Sequence, residues 1–339
     1  MNKHIKKMII FIFFIALIIF LWWVFKVAKH YPNKTDLQAP DNYFGITFST
    51  KFVKELKLNW QSTYLNVLND LEVKNIRLPI YWDEVEKTPK NYNYEVYDYL
   101  INEGSRRGVN FIISVGYRLP RWPECHLPDW AKEVDEITRE ERLLAYIEKT
   151  VERYKDNESI KYWQIENEPY LSSFGICPKL NEDLLKKEVE LVRSLDSREI
   201  IISASGELST WKKERKLADI LGITMYRVVH NPVFGFIRYP FGFKHYIYKS
   251  RLFGINSEDV IVIELQAEPW VAKGEMSQMS KEEIDKSLSQ EQFKGNLQTA
   301  INTNFRQVYL WGVEWWYLQK IQGNEAYWEI AKEIFKDKK

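Results

Sequence analysis

Residues Ile160–Pro169 read IKYWQIENEP, and residues Val260–Trp270 read VIVIELQAEPW. Each stretch begins with a short run of mainly apolar or β-branched residues and then reaches a glutamate, Glu168 in the first and Glu264 in the second. Runs of this length that do not alternate strictly with polar residues are typical of parallel strands buried on both faces. The two stretches therefore predict buried parallel strands with carboxylates at their carboxyl ends.

Runs of the same kind recur along the chain and give eight predicted strands: Tyr43–Phe48, Asn75–Ile80, Val109–Val115, Ile160–Ile165, Ile200–Ser203, Gly222–Tyr226, Val260–Glu264 and Gln307–Val313. Helix-like segments separate them, with capping boxes expected at Thr138 with Glu141 and at Ser280 with Glu283, and another helix start at Asn181. Strand alternating with helix builds right-handed βαβ units. Eight such units predict a (β/α)8 TIM barrel, and no GxGxxG motif follows the first strand to favour a dinucleotide-binding sheet.

The amino terminus carries a different pattern, an uninterrupted apolar run at Met8–Phe25. A run of this length is long enough to span a bilayer, and two tryptophans near its end lie where interfacial aromatic residues are expected. We therefore expect a cytoplasmic tip and one transmembrane helix within residues 1–29, a linker at residues 30–40 and the barrel at residues 41–339. An uncleaved anchor is favoured over a removed signal peptide, because no small-x-small cleavage site follows the run. The barrel is then extracytoplasmic and is held at the membrane by a single span.

Composition and cysteine spacing exclude some classes of partner. The 339 residues include 48 basic and 47 acidic side chains, so the net charge of +1 gives no electrostatic reason to expect nucleic acid. The two cysteines, Cys125 and Cys177, do not form a CxxC pair, which argues against zinc. In an exported domain they form one disulfide or remain two thiols, and the sequence leaves both open. We expect a monomer that needs no metal and no organic cofactor.

The active site of such a barrel lies at the carboxyl ends of its strands, where Glu168 and Glu264 follow the fourth and the seventh. Two carboxylates that face each other across the mouth suit cleavage of a glycosidic bond. One protonates the leaving oxygen while the other attacks the anomeric carbon or activates water. The pair, rather than either glutamate alone, predicts an oligo- or polysaccharide substrate.

The Asn-Glu-Pro motif at Asn167–Pro169, together with a glutamate at the end of the seventh strand, resembles clan A of the glycoside hydrolases and in particular the cellulase-like family 5. The resemblance covers the barrel from Tyr43 to about Tyr317. It implies a retaining hydrolase of β-linked glycans. In that family's pattern Glu168 corresponds to the acid/base and Glu264 to the nucleophile.

The same resemblance implies a set of substrate-binding or supporting residues. Asn167 corresponds to the residue that holds the sugar 2-hydroxyl. Tyr226, after the sixth strand, and Arg77, on the second, correspond to residues that contact the nucleophile. Trp315 on the eighth strand, with Trp311 as the alternative, corresponds to the floor under the cleaved sugar.

Two positions depart from the family 5 pattern. The third strand leads into SVGYRLPRWPE, Ser114–Glu124, where the family usually has a histidine, and Thr224 stands where the family has a second one. The chain is therefore expected to be a divergent relative. Arg77 also has a simpler interpretation, an ion pair with Glu86 or another acid inside the barrel.

Several other residues near the predicted rim have more than one interpretation. Glu166 is expected to support the acid rather than to be the acid itself. Glu268 suits a loop salt bridge or a substrate contact equally well. Sugar stacking and loop anchoring both fit Trp122, Trp130 and Trp270, and anchoring is the simpler expectation.

Two other functions fit the same pattern. A tethered barrel that binds glycans without cleaving them would keep aromatic residues and dispense with one carboxylate. A transglycosidase would use the same two carboxylates and pass the sugar to another sugar. The presence of both carboxylates favours an enzyme.

Overall fold

A computed structural model describes residues 37–336 and scattered positions between 5 and 18. The predicted transmembrane segment, Met8–Phe25, lies mostly outside the described residues, as does most of the predicted linker. Among the residues that are described, no helix is both long enough and apolar enough to cross a membrane.

Eight parallel strands form a closed barrel, which confirms the predicted barrel architecture. They are β1 Phe44–Thr47, β2 Asn75–Pro79, β3 Asn110–Val115, β4 Ile160–Ile165, β5 Ile200–Ala204, β6 Ile220–Met225, β9 Val260–Gln266 and β10 Gln307–Trp311. Around the barrel their order is β1-β10-β9-β6-β5-β4-β3-β2. Two further strands, β7 Val228–Asn231 and β8 Gly235–Arg238, form an antiparallel hairpin after β6. The sequence does not predict this hairpin, because its strands are short and largely half-exposed and lack a continuous apolar run.

Helices surround the barrel and connect its strands. They are α1 Thr50–Glu55, α2 Trp60–Asn69, α3 Trp82–Val85, α4 Glu95–Ser105, α5 Asp129–Lys132, α6 Glu136–Tyr154, α7 Glu182–Leu195, α8 Lys212–Leu217, α9 Phe243–Leu252, α10 Lys281–Leu288, α11 Gln290–Ile301, α12 Val313–Ile321 and α13 Ala326–Phe335. Two single turns of 3₁₀-helix occur at Ser257–Asp259 and Met276–Gln278.

The helix starts follow capping chemistry. Ser280 and Glu283 form the expected capping box of α10, and the Asn181 side chain caps α7 as expected. The capping box expected at Thr138 is wrong. The carboxylate of Asp135 accepts the backbone N–H of Thr138 at 2.9 Å, so α6 begins before Thr138.

The eighth barrel strand is shorter than predicted, and this moves one predicted site residue. β10 ends at Trp311, and Gly312 has a φ of 137°, a conformation that favours glycine. Helix α12 then starts at once and contains Trp315. The assignment of Trp315 to the eighth strand is therefore wrong. Its ring is fully buried and packs edge-on against Tyr327 with the centroids 4.6 Å apart.

The barrel is closed below its mouth by its own side chains. A compact cluster fills part of the interior: Ile112, Ile201, Ile220, Ile261, Ile263 and Tyr309. A larger apolar cluster lies between strands and helices. This packing leaves the carboxyl ends of the strands as the place where polar side chains converge.

Candidate active site

Glu264 lies in β9 at the mouth of the barrel and is only 3% exposed. Its Oε1 accepts a hydrogen bond from Arg77 Nη1 at 2.7 Å, and its Oε2 accepts one from Tyr226 Oη at 3.1 Å. Three residues singled out in the sequence are thus in direct contact. A donor on each oxygen fixes the orientation of this carboxylate.

Arg77 connects Glu264 to the fourth strand. The side chain is fully buried in β2, where Nε donates to Gln164 Oε1 at 2.7 Å and Nη2 donates to Asn167 Oδ1 at 2.8 Å. Glu86, the alternative partner, instead accepts from Trp82 Nε1 at 2.8 Å. Arg77 therefore belongs to the mouth and not to a pair with Glu86.

The Asn-Glu-Pro segment leaves β4 in a sharp turn that points its side chains into the mouth. Glu168 has a φ of 43°, and its backbone N–H donates to Ser203 Oγ at 2.8 Å. The same hydroxyl donates to Asn167 Oδ1 at 3.0 Å, so β5 holds both residues. Thr224, at the position of a missing family histidine, donates its hydroxyl to Glu168 Oε1 at 3.2 Å.

The environment of Glu168 favours its protonated form. Burial raises the pKa of its carboxyl well above the ordinary value, and the negative charges of Glu264 and Glu124 raise it further. A carboxyl kept protonated near neutral pH beside an oriented carboxylate is the arrangement that general acid catalysis requires.

Glu124 is a third acid of the mouth that the sequence does not single out. It lies in the loop after β3 with a φ of 73° and is 5% exposed. Its Oε2 accepts from Asn167 Nδ2 at 3.1 Å. Burial, followed by the charge of Glu264, raises the pKa of Glu124 to about 8. The sequence marks this loop by Trp122, by Cys125 and by its departure from the family pattern, but none of these signals points to Glu124 as an acid of the site.

Glu166 faces the loop after β3 and not Glu264. It accepts the backbone N–H of Tyr117 at 3.0 Å and that of Arg118 at 2.6 Å. Burial raises its pKa to about 7. Glu166 therefore shapes the loop after β3.

The rim tryptophans fall into two groups. Trp130 Nε1 donates to the carbonyl of Glu86 at 2.8 Å, which anchors its loop. Trp270 lies edge-on to Tyr226, with the ring centroids 5.9 Å apart. It also packs against Phe174, with the ring centroids 6.1 Å apart. Trp122 is 60% exposed beside Phe174. Trp270 and Trp122 thus continue an aromatic lining outward from Tyr226.

Trp311, the alternative to Trp315, does lie at the mouth. It ends β10 and is 7% exposed. One face of its ring is covered by the guanidinium of Arg121, whose central carbon lies 3.9 Å from the ring centroid.

A disulfide joins Cys125 to Cys177, with the two Cα atoms 5.2 Å apart. It resolves the alternatives that the sequence left open, and it connects the loop after β3 to the loop after β4. The backbone N–H of Ile176 donates to the carbonyl of Pro123 at 2.9 Å, so the two loops are also hydrogen-bonded. The loop that contains Glu124 and the loop that contains Glu168 are thus fixed to each other.

Within residues 37–336 and the described positions before them, no group of three or more histidine, cysteine, aspartate or glutamate side chains is arranged to hold a metal ion. The three acids of the mouth, Glu124, Glu168 and Glu264, thus do not form a metal-binding cluster.

Comparison with known proteins gives one sequence family. Residues 38–250 match the family described as cellulase (glycosyl hydrolase family 5). No curated protein sequence matches the chain.

Solved structures share the fold at low sequence identity. Xylanase 10B from Thermotoga petrophila RKU-1 is 14% identical with a TM-score of 0.53, over 80% of this chain and 82% of that one. An endo-β-1,4-xylanase of glycoside hydrolase family 10 from Gloeophyllum trabeum is 13% identical with a TM-score of 0.54, over 83% and 87%. An exo-β-1,4-mannosidase from Opitutaceae bacterium strain TAV5 is 13% identical with a TM-score of 0.56, over 79% of this chain and 51% of that one.

Proposed function

The chain belongs to glycoside hydrolase family 5, and from that premise we propose that it hydrolyses β-linked glycans by double displacement. Glu264 is the nucleophile and Glu168 is the acid/base in this proposal. The observation that carries it is the contrast between the two carboxyls. Glu264 has a fixed donor on each oxygen. Glu168 is held protonated by burial and by negative neighbours, which raise its pKa.

In the first step an oxygen of Glu264 attacks the anomeric carbon as the bond to the leaving oxygen breaks. The proton of Glu168 passes to that oxygen, so the leaving group departs as a neutral alcohol. Arg77 and Tyr226 keep the carboxylate of Glu264 oriented for attack. In this proposal Asn167, which accepts hydrogen bonds from Arg77 and Ser203, binds the sugar 2-hydroxyl.

In the second step Glu168, now ionised, removes a proton from water as the water attacks the anomeric carbon and the bond to Glu264 breaks. Esterification of Glu264 removes its negative charge, which lowers the pKa of Glu168 to suit its role as a base. The net change is hydrolysis with retention of configuration, and all proton transfers use Glu168.

The proposed location outside the cytoplasm rests on two features. The apolar run Met8–Phe25 suits a membrane anchor. The Cys125–Cys177 disulfide suits an oxidising compartment. Membrane fractionation with protease protection tests this proposal. Release of the protein by salt or carbonate would contradict a spanning anchor. We further propose that the protein acts as a monomer, which sedimentation tests.

The purified protein is first assayed on 4-nitrophenyl β-glucoside, β-mannoside and β-xyloside and on β-glucan, mannan and xylan. Proton NMR of the first product distinguishes double displacement, which retains the anomeric configuration, from single displacement, which inverts it. Double displacement yields the β-anomer before mutarotation. Release of the α-anomer would contradict double displacement. The control for substitutions of Glu168 or Glu264 is Glu148→Gln, which changes a glutamate at an exposed position of α6.

A glycan-binding barrel and a transglycosidase are outcomes of the same assay. Binding of one polymer without cleavage of any substrate would favour the binding barrel. Longer products formed at high substrate concentration would favour transfer to a sugar over transfer to water. The two carboxyls with the partners that each role needs favour an enzyme over a binding barrel. The ratio of transfer products to hydrolysis products decides between a sugar and water as the acceptor.

A further inference from the structure

The loop between β3 and α5, residues 116–128, extends across the mouth of the barrel. We call it the β3 loop. Its Pro120 carbonyl accepts from Tyr81 Oη at 2.9 Å, and the ring of His126 lies edge-on to Tyr81 with the centroids 4.6 Å apart. Tyr81 follows β2 closely, so the β3 loop leans from its own strand toward β2 and β1.

Arg121, at the tip of this loop, is bound to the opposite side of the barrel. Its Nη1 lies 2.5 Å from Glu268 Oε1 and its Nη2 lies 3.1 Å from Glu314 Oε2. Glu268 follows β9, which is four positions from β3 in a barrel of eight strands. None of the three side chains is more than 8% exposed. The loop therefore spans the mouth and is held by buried ion pairs.

The Arg121 guanidinium also fills the space between two aromatic rings. Its central carbon lies 3.5 Å from the centroid of Phe52 and 3.9 Å from that of Trp311. A sugar cannot stack on the ring face that Arg121 covers. Opening the loop would leave buried charges without their partners, which is strongly unfavourable, so the loop is a fixed wall rather than a readily opened lid.

The opposite side of the site is open. A cavity of about 230 Å³ reaches Glu168 and extends over the residues that follow β5. Its lining includes Tyr170, Ser205, Leu208 and Thr210. The wall therefore stands on the side of β1 and β10, and the cavity beside Glu168 lies on the side of β5.

The chemistry assigns a direction to these two sides. Glu168 protonates the leaving oxygen, so the leaving group lies on the side of Glu168, where the cavity is. Sugars attached to the non-reducing side of the cleaved unit would extend past Glu264 toward β10 and β1. Arg121 and the β3 loop occupy that space.

We propose that Arg121 closes the glycone side of the site, so that the enzyme removes terminal sugars from the non-reducing ends of β-linked oligosaccharides and does not cut chains internally. This proposal rests on the proposed hydrolase function and specifies its substrate as a chain end. Arg121 is then a specificity-determining residue, and it takes no part in proton transfer.

The test uses the full-length wild-type protein and compares the rates at which it cleaves two matched forms of one oligosaccharide. The oligosaccharide is a 4-nitrophenyl β-glycoside of three units, made of the sugar that the aryl glycoside panel identifies. One form has a free terminal sugar, and the other carries a benzyl ether at C4 of that sugar. An exo-acting enzyme releases monosaccharides one at a time from the free form. We expect the blocked form to be cleaved at least 100-fold more slowly.

The outcomes separate this proposal from the proposed function. Equal cleavage of both forms would overturn the exo proposal and leave hydrolysis intact. Cleavage of neither form, nor of any aryl glycoside, would contradict the hydrolase function itself. Early release of nitrophenyl disaccharides together with the single sugar is the expected product pattern for the free form.

A double variant then tests the role of Arg121 directly. Arg121→Gln with Glu268→Gln removes one positive and one negative charge, so the net charge of the cluster is unchanged. The matched control is Glu268→Gln alone, which keeps Arg121 in place. We expect the double variant, but not the control, to gain at least 10-fold on the blocked form. No gain in a double variant whose circular dichroism matches wild type would overturn the assignment of Arg121.

Discussion

Arg77 Nη1 lies 2.7 Å from Glu264 Oε1, and neither side chain is more than 4% exposed. Removing one partner of such a pair leaves an uncompensated buried charge, which costs about 3–5 kcal/mol. We expect Arg77→Gln to lower kcat at least 100-fold and to lower the free energy of unfolding, because Glu264 loses its orientation and its counter-charge. Steady-state kinetics and urea denaturation measure the two effects.

Arg306→Gln is the control for that substitution. Arg306 pairs with Glu199 at 3.2 Å on the surface, where the two side chains are 36% and 49% exposed. A pair of this kind contributes about 0–1 kcal/mol. Equal losses in the Arg77 and Arg306 variants would contradict a special role for the buried pair.

The pH profile depends on Glu168, which must be protonated in the first step. Its pKa is raised, so activity falls as pH increases through that raised value, and the alkaline limb lies well above the ordinary range of a glutamate. Glu124, with a pKa of about 8, adds negative charge near Glu168 as it ionises. We expect Glu124→Gln to move the alkaline limb of kcat/KM to lower pH.

The glutamine side chain introduced by Glu124→Gln still offers an amide oxygen to Asn167, which separates the charge effect from the hydrogen bond. A full pH profile from about pH 4 to pH 10 is the measurement, since it covers both the ordinary and the raised carboxyl pKa values. A limb that stays in place, or that moves to higher pH, would show that the charge of Glu124 does not act on Glu168.

Buried glutamates also make stability depend on pH. Burial raises the pKa of Glu124 to about 8 and that of Glu166, Glu207 and Glu314 to about 7. A folded pKa above the unfolded one means that the folded state binds more protons, so this stabilising contribution is lost as pH rises through the folded pKa. The loss begins near the ordinary glutamate pKa of 4.5 and continues up to these raised values. We expect Tm to fall clearly between about pH 6.5 and pH 8, because the opposing effect of His126 lies below pH 6.5.

The buried histidines oppose this trend only at lower pH. Burial lowers the pKa of His126 to about 3 from an ordinary 6.5, so its effect on stability is confined below that ordinary value. Calorimetry at constant ionic strength measures Tm. Glu166→Gln should reduce the fall of Tm with increasing pH. A Tm that rises between about pH 6.5 and pH 8 would contradict this assignment of the raised pKa values.

The Cys125–Cys177 disulfide closes a loop with a sequence separation of 52. The chain-entropy model assigns a loop of this size about 4 kcal/mol of unfolding free energy. We expect the double substitution Cys125→Ser with Cys177→Ser to lower the free energy of unfolding by this order. It should also lower kcat/KM, because the loops that carry Glu124 and follow Glu168 lose their connection.

Denaturation of the wild type with and without reductant measures independently how much the same disulfide adds to the free energy of unfolding. An unchanged free energy of unfolding in the serine variant, or two titratable thiols in the unreduced denatured wild type, would contradict the disulfide.

Strand positions can be predicted because buried parallel strands leave a local signal in the sequence. The predicted Ile160–Ile165 matches β4. Trp315 is misplaced by the sequence pattern because the φ of 137° at Gly312 ends β10 earlier than predicted, and a glycine alone does not reveal its conformation. The strand prediction therefore continues into a helix.

The site is predictable where a residue lies on a strand or directly after one. Glu264, Arg77 and Tyr226 are of this kind. Glu124 and Arg121 lie in a long loop that has no periodicity, and their partners Asn167 and Glu314 are far away in the chain. Contacts between loops depend on the closed barrel that brings them together, so they leave no local pattern.

Azide rescue of two variants tests the central claim most directly. Glu168→Ala and Glu264→Ala are assayed with the aryl glycoside that the wild type cleaves, with and without sodium azide, and the glycosyl azide is identified by NMR. We predict that azide restores activity in both, with a β-glycosyl azide from Glu168→Ala and an α-glycosyl azide from Glu264→Ala. The reverse configurations, or wild-type activity in either variant without azide, would contradict the assigned roles.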